Sequence, residues 1–257
     1  MPVLDAIKQA TPWKLRLLSR RIKRSLREHR DARRSCEEVF TNIYRNGDWG
    51  GADEDAADIF YSGPGSSAAA AKPYIDAVRA FIATEAIDSV IDIGCGDFRV
   101  GQAIAACGVR YLGVDIVAPL IARNQTKFGS DTVRFMTGNV IEDDLPDAQL
   151  CLVREVFQHL SNHQIAHALA RLRKYPFVLV TDYQPPPERV FTPNRDKPHG
   201  RDIRLFDNSA LALDKPPFSL PNVEVFLDVA SPNVVLTQGE RLKSFLIRKG
   251  KKGSVLF

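Results

Sequence analysis

Apolar positions in the middle of the chain fall into short runs separated by amphipathic stretches. Val90, Ile91 and Ile93 form one run, broken only by Asp92, and residues 111–114 a second that ends in Asp115. Val133-Arg134-Phe135, Leu150-Cys151-Leu152-Val153 and PFVLVT at 176–181 follow. Runs this short, bounded by turn residues, read as buried strands. Helices are expected at 68–83, at 100–107 and over a stretch ending at 171–174. The order strand, helix, strand, helix predicts a parallel sheet with right-handed crossovers. After Asp182-Tyr183 the alternation stops. Residues 184–208 hold five prolines and many polar side chains, too long for an ordinary connector. A loop after a strand's carboxyl end is where an α/β enzyme reads its substrate. Residues 223–229 and 241–247 read as two last strands, expected as an antiparallel pair at one edge.

Between the first predicted strand and the helix at 100–107 lies the candidate chemistry. Gly94 and Gly96 remove two side chains where the backbone must turn and approach a ligand. The following helix points its first N–H groups at that ligand. Asp115, at the tip of the next strand, suits ribose hydroxyls. A dinucleotide loop needs a third small residue, but Gly94-Cys95-Gly96 is followed by Asp97, Phe98 and Arg99. Asp92 and Asp97 repel a pyrophosphate and suit a sulfonium and an ammonium group. The loop therefore reads as a site for S-adenosylmethionine (SAM), with S-adenosylhomocysteine as product.

These residues resemble the class I SAM-dependent methyltransferases. Asp92-Ile93-Gly94-Cys95-Gly96 is similar to their first motif and Val114-Asp115-Ile116 to the region of their ribose-binding acid; Gly138-Asn139-Val140 stands where they contact adenine. Arg154-Glu155-Val156-Phe157-Gln158-His159-Leu160-Ser161 resembles the segment after their fourth strand, where a helix brings side chains to the transfer site. With Ser62-Gly63-Pro64-Gly65-Ser66-Ser67, the DIGCGDF loop and PFSLP at 217–221, the chain resembles a poorly characterised bacterial family of that class over roughly residues 47–246. Glu155 and Gln149 stand where that family more often carries Asp and an acid. The resemblance implies a Rossmann-like fold: a mostly parallel seven-stranded sheet with an antiparallel edge pair and helices on both faces.

At 257 residues one α/β domain is the simplest count, and 44% hydrophobic residues without a run near ~18 argue against a membrane span. The start lacks a basic segment followed by an apolar one, so secretion is not expected. Cys36, Cys95, Cys107 and Cys151 have neither CxxC nor Cys/His spacing, and reduced thiols in cytoplasm are expected. The net charge of +4 hides an asymmetry. Residues 1–35 hold eleven Lys or Arg against three acids, +8, while the rest carries −4. Leu15, Leu18, Ile22 and Leu26, with Trp13 just ahead, recur at helical spacing within this stretch, a basic amphipathic helix. Three readings stay open: its apolar stripe packs on the domain, it attaches peripherally to an anionic membrane at the inner face, or it binds a polyanion. Missing interleaved aromatics argue against nucleic acid. The expected organisation is a helical arm over 1–45 and a methyltransferase domain over 46–257, with a lid at 46–67 and a substrate loop at 183–222. The lid would lay Trp49, Gly65 and Ser66 over the cofactor.

Methyl transfer to a hydroxyl needs alignment and a base. His159 is the candidate base, four residues after Glu155 and expected to pair with it on one helix face. Arg154 would face the cofactor. His163 and His167 continue the spacing without a second ligand cluster, so no metal is expected. Asp182, Tyr183, Asn194, Asp202 and Arg204 are candidates for a polar acceptor. The function expected is O-methylation of a sugar or small polar acceptor, in a cell-surface polysaccharide or a secondary metabolite. N-methylation of a small amine, RNA methylation, and a SAM-binding regulatory or scaffold role are the alternatives. The oligomeric state stays open.

Overall fold

The computed structural model describes residues 13–50, 60–231, 233, 236 and 238–249. Helices α1 (Trp13–Asp31), α2 (Cys36–Arg45) and α3 (Ala68–Thr84) precede strand β1 (Ser89–Ile93). Then come α4 (Arg99–Ala105), β2 (Arg110–Asp115), α5 (Ala118–Phe128), β3 (Val133–Thr137), β4 (Leu150–Arg154), α6 (Asn162–Leu172) and β5 (Phe177–Gln184). Two strands, β6 (Glu224–Ala230) and β7 (Arg241–Arg248), complete a seven-stranded sheet of order β3-β2-β1-β4-β5-β7-β6. The first five strands are mutually parallel, and β7 runs antiparallel to both β5 and β6. This is the Rossmann-like arrangement expected from the alternation of apolar runs, antiparallel edge pair included.

The near-continuous apolar strands follow from helices on both faces, since every second residue then needs an apolar neighbour on its own side. Ile91, Ile93, Cys151, Val153, Val178 and Val180 pack with Ile165, Ala168, Leu169 and Leu172 of α6. Val90, Leu150, Leu152 and Leu179 pack with Tyr74, Val78, Phe81 and Ile82 of α3 and Ile104 of α4. Each fully buried leucine of this set contributes about 1.5–3 kcal/mol. Helix starts are set by side-chain caps. Ser35 with Glu38 and Ser161 with Gln164 form capping boxes on α2 and α6.

The strand order reverses between β1 and β4, and there the register matters. Ile93 lies beside Val114 on one side and Val153 on the other. Gly94, Asp115 and Arg154 consequently leave the sheet next to one another, at the switch point where α/β folds place their ligands.

Three sequence expectations change. The segment after β4 is not helical: Glu155 has φ +57°, Phe157–His159 is one 3-10 turn, and α6 begins only at Asn162. The N-terminal stretch is two helices, α1 and α2, separated at residues 32–35. Finally, α1 does not dock by its apolar stripe where its side chains are described. Ile22 is 51% and Leu26 67% exposed. Arg24 instead donates to Asp202 at 3.1 Å, to Asp207 at 2.5 Å and to Glu28 at 2.8 Å, and Arg27 pairs with Asp202. The side chains of Leu15 and Leu18 lie outside the described residues.

Candidate active site

The loop from β1 into α4 is held open by glycine geometry. Gly94 has φ +69° and Gly96 φ +54°, in the left-handed region. A Cβ on Gly94 would meet Val156 Cγ2 at 2.4 Å, and one on Gly96 would meet Ser62 Oγ at 2.3 Å. The Gly94 and Cys95 N–H groups donate to the Val114 carbonyl at 2.7 and 3.1 Å, fixing the loop against β2. The Asp115 carboxylate accepts from Gly96 N–H at 3.2 Å and Val117 N–H at 3.1 Å. Asn124, fully buried on α5, donates to the Gly96 carbonyl at 2.8 Å. Asp97 accepts from Ser62 N–H at 3.0 Å, and Ser62 Oγ accepts from Asp97 N–H at 2.7 Å. The Ser62–Ser67 turn is thereby bound to the glycine loop.

Above the loop opens a cavity of about 570 Å³, within the range of small-molecule sites. Every residue the sequence assigned to the cofactor lines it: Asp92, Gly94, Cys95, Gly96, Asp97, Asp115, Ile116, Asn139, Val140, Arg154, Trp49, Gly65 and Ser66. Arg154 donates to the Gly65 carbonyl at 2.8 Å and pairs with Glu155 at 2.6 Å. A Cβ on Gly65 would meet Glu155 Oε2 at 2.2 Å, so only glycine lets the turn approach this pair. Asn139 Oδ1 accepts from Ile141 N–H at 3.0 Å, which leaves its amide N–H groups as its donors to a ligand. The stretch 51–59 of the expected lid lies outside the described residues.

Three carboxyls share this floor. Burial pushes Asp92 up to about 6, with the Tyr111 hydroxyl that donates to it pulling the other way. Burial also lifts Asp115 to about 6 against its backbone N–H donors, and it raises Asp97. A cationic ligand favours the ionised forms, so its binding expels protons below about pH 6. SAM affinity is therefore expected to be about tenfold weaker at pH 5 than at pH 7.5. Calorimetry at the two pH values checks this. In the ligand-free protein these two raised groups act in the opposite sense: their stabilisation is full below about pH 4 and is lost as pH rises through about 6.

His159 lines the same cavity. Its Nδ1 is 3.1 Å from the Gly200 carbonyl, which can only accept; the neutral ring therefore carries its proton there and keeps a lone pair on Nε2. Nε2 is 3.5 Å from the Gln158 amide nitrogen. Trp49 stands 5.3 Å and Phe40 6.3 Å from the imidazole centre. Burial, helped by the Lys197 charge, lowers the His159 pKa to about 3. The expected Glu155–His159 pairing is not formed. With no helix between them, Glu155 turns to Arg154 while His159 turns to Gly200.

Of the acceptor candidates, Tyr183 and Asp202 line the cavity, and Asn233 donates to the Tyr183 hydroxyl at 3.2 Å. The other three are buried away from the cavity lining, and two of them hold the long loop. Asn194 donates to the carbonyls of Ala212, Lys215 and Pro216 and accepts from Ala212 N–H. Arg204, 2% exposed, donates to the carbonyls of Arg195 and Leu160. Asp182 is 1% exposed beneath the cavity wall, and burial raises its pKa well above the carboxylate range. His163 and His167 stack on the outer face of α6 with ring centres 4.4 Å apart. Among the described residues no three His, Cys, Asp or Glu side chains could hold a metal ion.

Sequence reasoning missed the contribution of α2. Cys36, Phe40 and Tyr44 line the cavity, and the Tyr44 hydroxyl lies 3.0 Å from Ser62 Oγ. The Ser35…Glu38 capping box was the signal that a separate helix starts here. Arg201, which pairs with Asp48 at 3.0 Å and lines the mouth, carried no motif.

Residues 90–175 match the family model described as "Methyltransferase domain". An uncharacterized methyltransferase of Mycobacterium tuberculosis is 34% identical over 59 residues, 23% of this chain and 30% of the relative's length. The match thus spans under a third of that protein. Among solved structures, a Burkholderia thailandensis 1,6-didemethyltoxoflavin-N1-methyltransferase, bound to 1,6-didemethyltoxoflavin and S-adenosylhomocysteine, superimposes with a TM-score of 0.53 at 18% identity. That superposition covers 84% of this chain and 87% of the other. Human N-acetylserotonin methyltransferase in complex with SAM gives 0.52 at 16% identity, over 85% of this chain and 61% of that one. At these identities the likeness is one of fold. Residues 90–175, a third of the chain, thus match a methyltransferase-domain model, and the chain has the class I SAM-dependent methyltransferase fold.

Proposed function

We propose that the protein is a SAM-dependent O-methyltransferase acting on a small, ring-shaped acceptor, a sugar or a secondary metabolite. The observation that carries this is the cavity itself: a glycine loop floored by carboxyls shares it with a neutral imidazole whose Nδ1 is held by the Gly200 carbonyl, which leaves the lone pair on Nε2. The residues fit SAM. Asp115 and the Gly94–Gly96 backbone form a cradle that a Cβ would fill, and Asp92 and Asp97 supply negative charge for a sulfonium and an ammonium group. When bound, SAM supplies an electrophilic methyl group whose bond to sulfur breaks as the bond to the acceptor oxygen forms. Asp115 holds ribose hydroxyls, Asn139 the adenine edge, and Arg154 anchors the covering turn through Gly65.

His159 Nε2 takes the acceptor proton. An attacking hydroxyl becomes strongly acidic as its new bond forms, so a base weaker than ordinary imidazole serves, and the Gly200 carbonyl stabilises the imidazolium that results. Trp49, Phe40 and Phe206 line the same cavity. They support a ring with an apolar face over an extended anionic chain. The inward turn of Asn194 and Arg204 weakens the case for a densely hydroxylated subsite. Free Cys36, Cys95, Cys107 and Cys151 are consistent with a reducing, cytoplasmic setting.

Incubation with methyl-labelled SAM and a panel of phenols, sugars and amines tests the reading. Label transfer to hydroxyl compounds that falls in His159→Ala supports it. Transfer confined to amines, with His159→Ala fully active, replaces O- by N-methylation.

A further inference from the structure

The docking of α1 through its arginines leaves an amphipathic surface without a partner among the described residues. Arg24 and Arg27 bind the domain through Asp202 and Asp207, and Asp31 is buried on the same side. Ile22 and Leu26 lie about half a turn around the helix from that face, at 51% and 67% exposure. Arg21 and Lys23 sit about a quarter turn to either side of Ile22, both exposed, and Arg30 is exposed beside Leu26. In sequence, Leu15 and Leu18 continue the apolar register and Lys14 the flanking charge. Burying arginines while presenting leucine and isoleucine to water reverses the usual economy of a surface helix.

We propose that the outer face of α1 docks on an anionic phospholipid bilayer. An apolar strip flanked by cations on both sides matches the acyl boundary at its centre and the charged headgroups at its edges. A second protein copy would meet the same dense positive charge on its partner, since residues 1–35 carry +8, whereas a bilayer containing anionic lipid neutralises it. A nucleic acid would use the cations and leave Ile22 and Leu26 in water. Asp202, which α1 clamps through Arg24 and Arg27, lines the cavity, so the docking helix is tied directly to a residue of the site. Among the described residues no helix is long and apolar enough to cross a membrane, so the attachment is interfacial.

The test is vesicle co-sedimentation of the full chain. It should pellet with phosphatidylglycerol-containing vesicles, stay soluble with phosphatidylcholine alone, and be released in part by salt. The double variant Ile22→Asp, Leu26→Asp should lose at least tenfold in vesicle affinity while keeping its melting temperature and SAM affinity, because both side chains point to solvent. Failure to pellet, or pelleting unchanged by the double variant, overturns the proposal. So does light scattering that shows a dimer dissolved by those substitutions, or binding to RNA without binding to vesicles.

Discussion

Replacing Asp115 by alanine is expected to weaken SAM binding by at least a hundredfold, read by calorimetric titration. The role proposed for this carboxylate, at the end of β2, is to accept from two ribose hydroxyls; hydrogen bonds to a charged group contribute about 1.5–3 kcal/mol each, so losing two would cost roughly 3 kcal/mol or more. The same carboxylate accepts from Gly96 and Val117 N–H and thereby holds the glycine loop in shape. Alanine removes both functions. Asp115→Asn keeps one acceptor oxygen, enough for Gly96 or Val117 N–H but not for both, and removes the charge, so it is expected to lose at least tenfold. Should both variants bind like the parent protein while melting normally, the ribose role is excluded.

His159→Ala is expected to lower the transfer rate by about a hundredfold or more, the ordinary contribution of a positioned base, with SAM affinity within a factor of about three. The ring packs beside Trp49 and Phe40 and its Nδ1 is held by the Gly200 carbonyl rather than by the glycine loop, so its removal is expected to separate chemistry from cofactor binding. His159→Gln fills much of the same space without a basic nitrogen. Equal loss in both variants assigns the effect to proton transfer; recovery in the glutamine variant assigns it to packing. Because burial holds the free histidine near pKa 3, the rate with the parent protein should show no loss from His159 protonation between pH 5 and 8. A rate limb near pH 6.5 that disappears in His159→Ala would mean the ring is solvated in the working complex.

The sheet was legible because its chemistry is local. Buried parallel strands must be apolar on both faces, so Val90–Ile93 or Leu150–Val153 announce themselves without reference to distant residues. The glycine loop was legible for a similar reason: positive φ and close approach demand Gly94 and Gly96, and the acids around them set the charge of the ligand. What failed were inferences that needed three-dimensional context. Helical spacing of Glu155 and His159 meant nothing once the backbone at Glu155 took φ +57° and broke the register. Polar residues in the long loop read as ligands for an acceptor, yet a loop this long must satisfy its own carbonyls, and Asn194 and Arg204 are spent on that. The face by which α1 docks stayed open in the sequence because hydrophobic periodicity alone does not say which side is covered. Acids far away in sequence, Asp202 and Asp207, decide it.

Titration of the purified chain with SAM, S-adenosylhomocysteine and NAD tests the central claim most directly. Micromolar binding of the two adenosyl ligands, with none of NAD, is predicted from the carboxyl-floored glycine loop. Binding of NAD, or of none of the three by a protein that melts cooperatively, would contradict the assignment of Gly94, Gly96 and Asp115 to a SAM site.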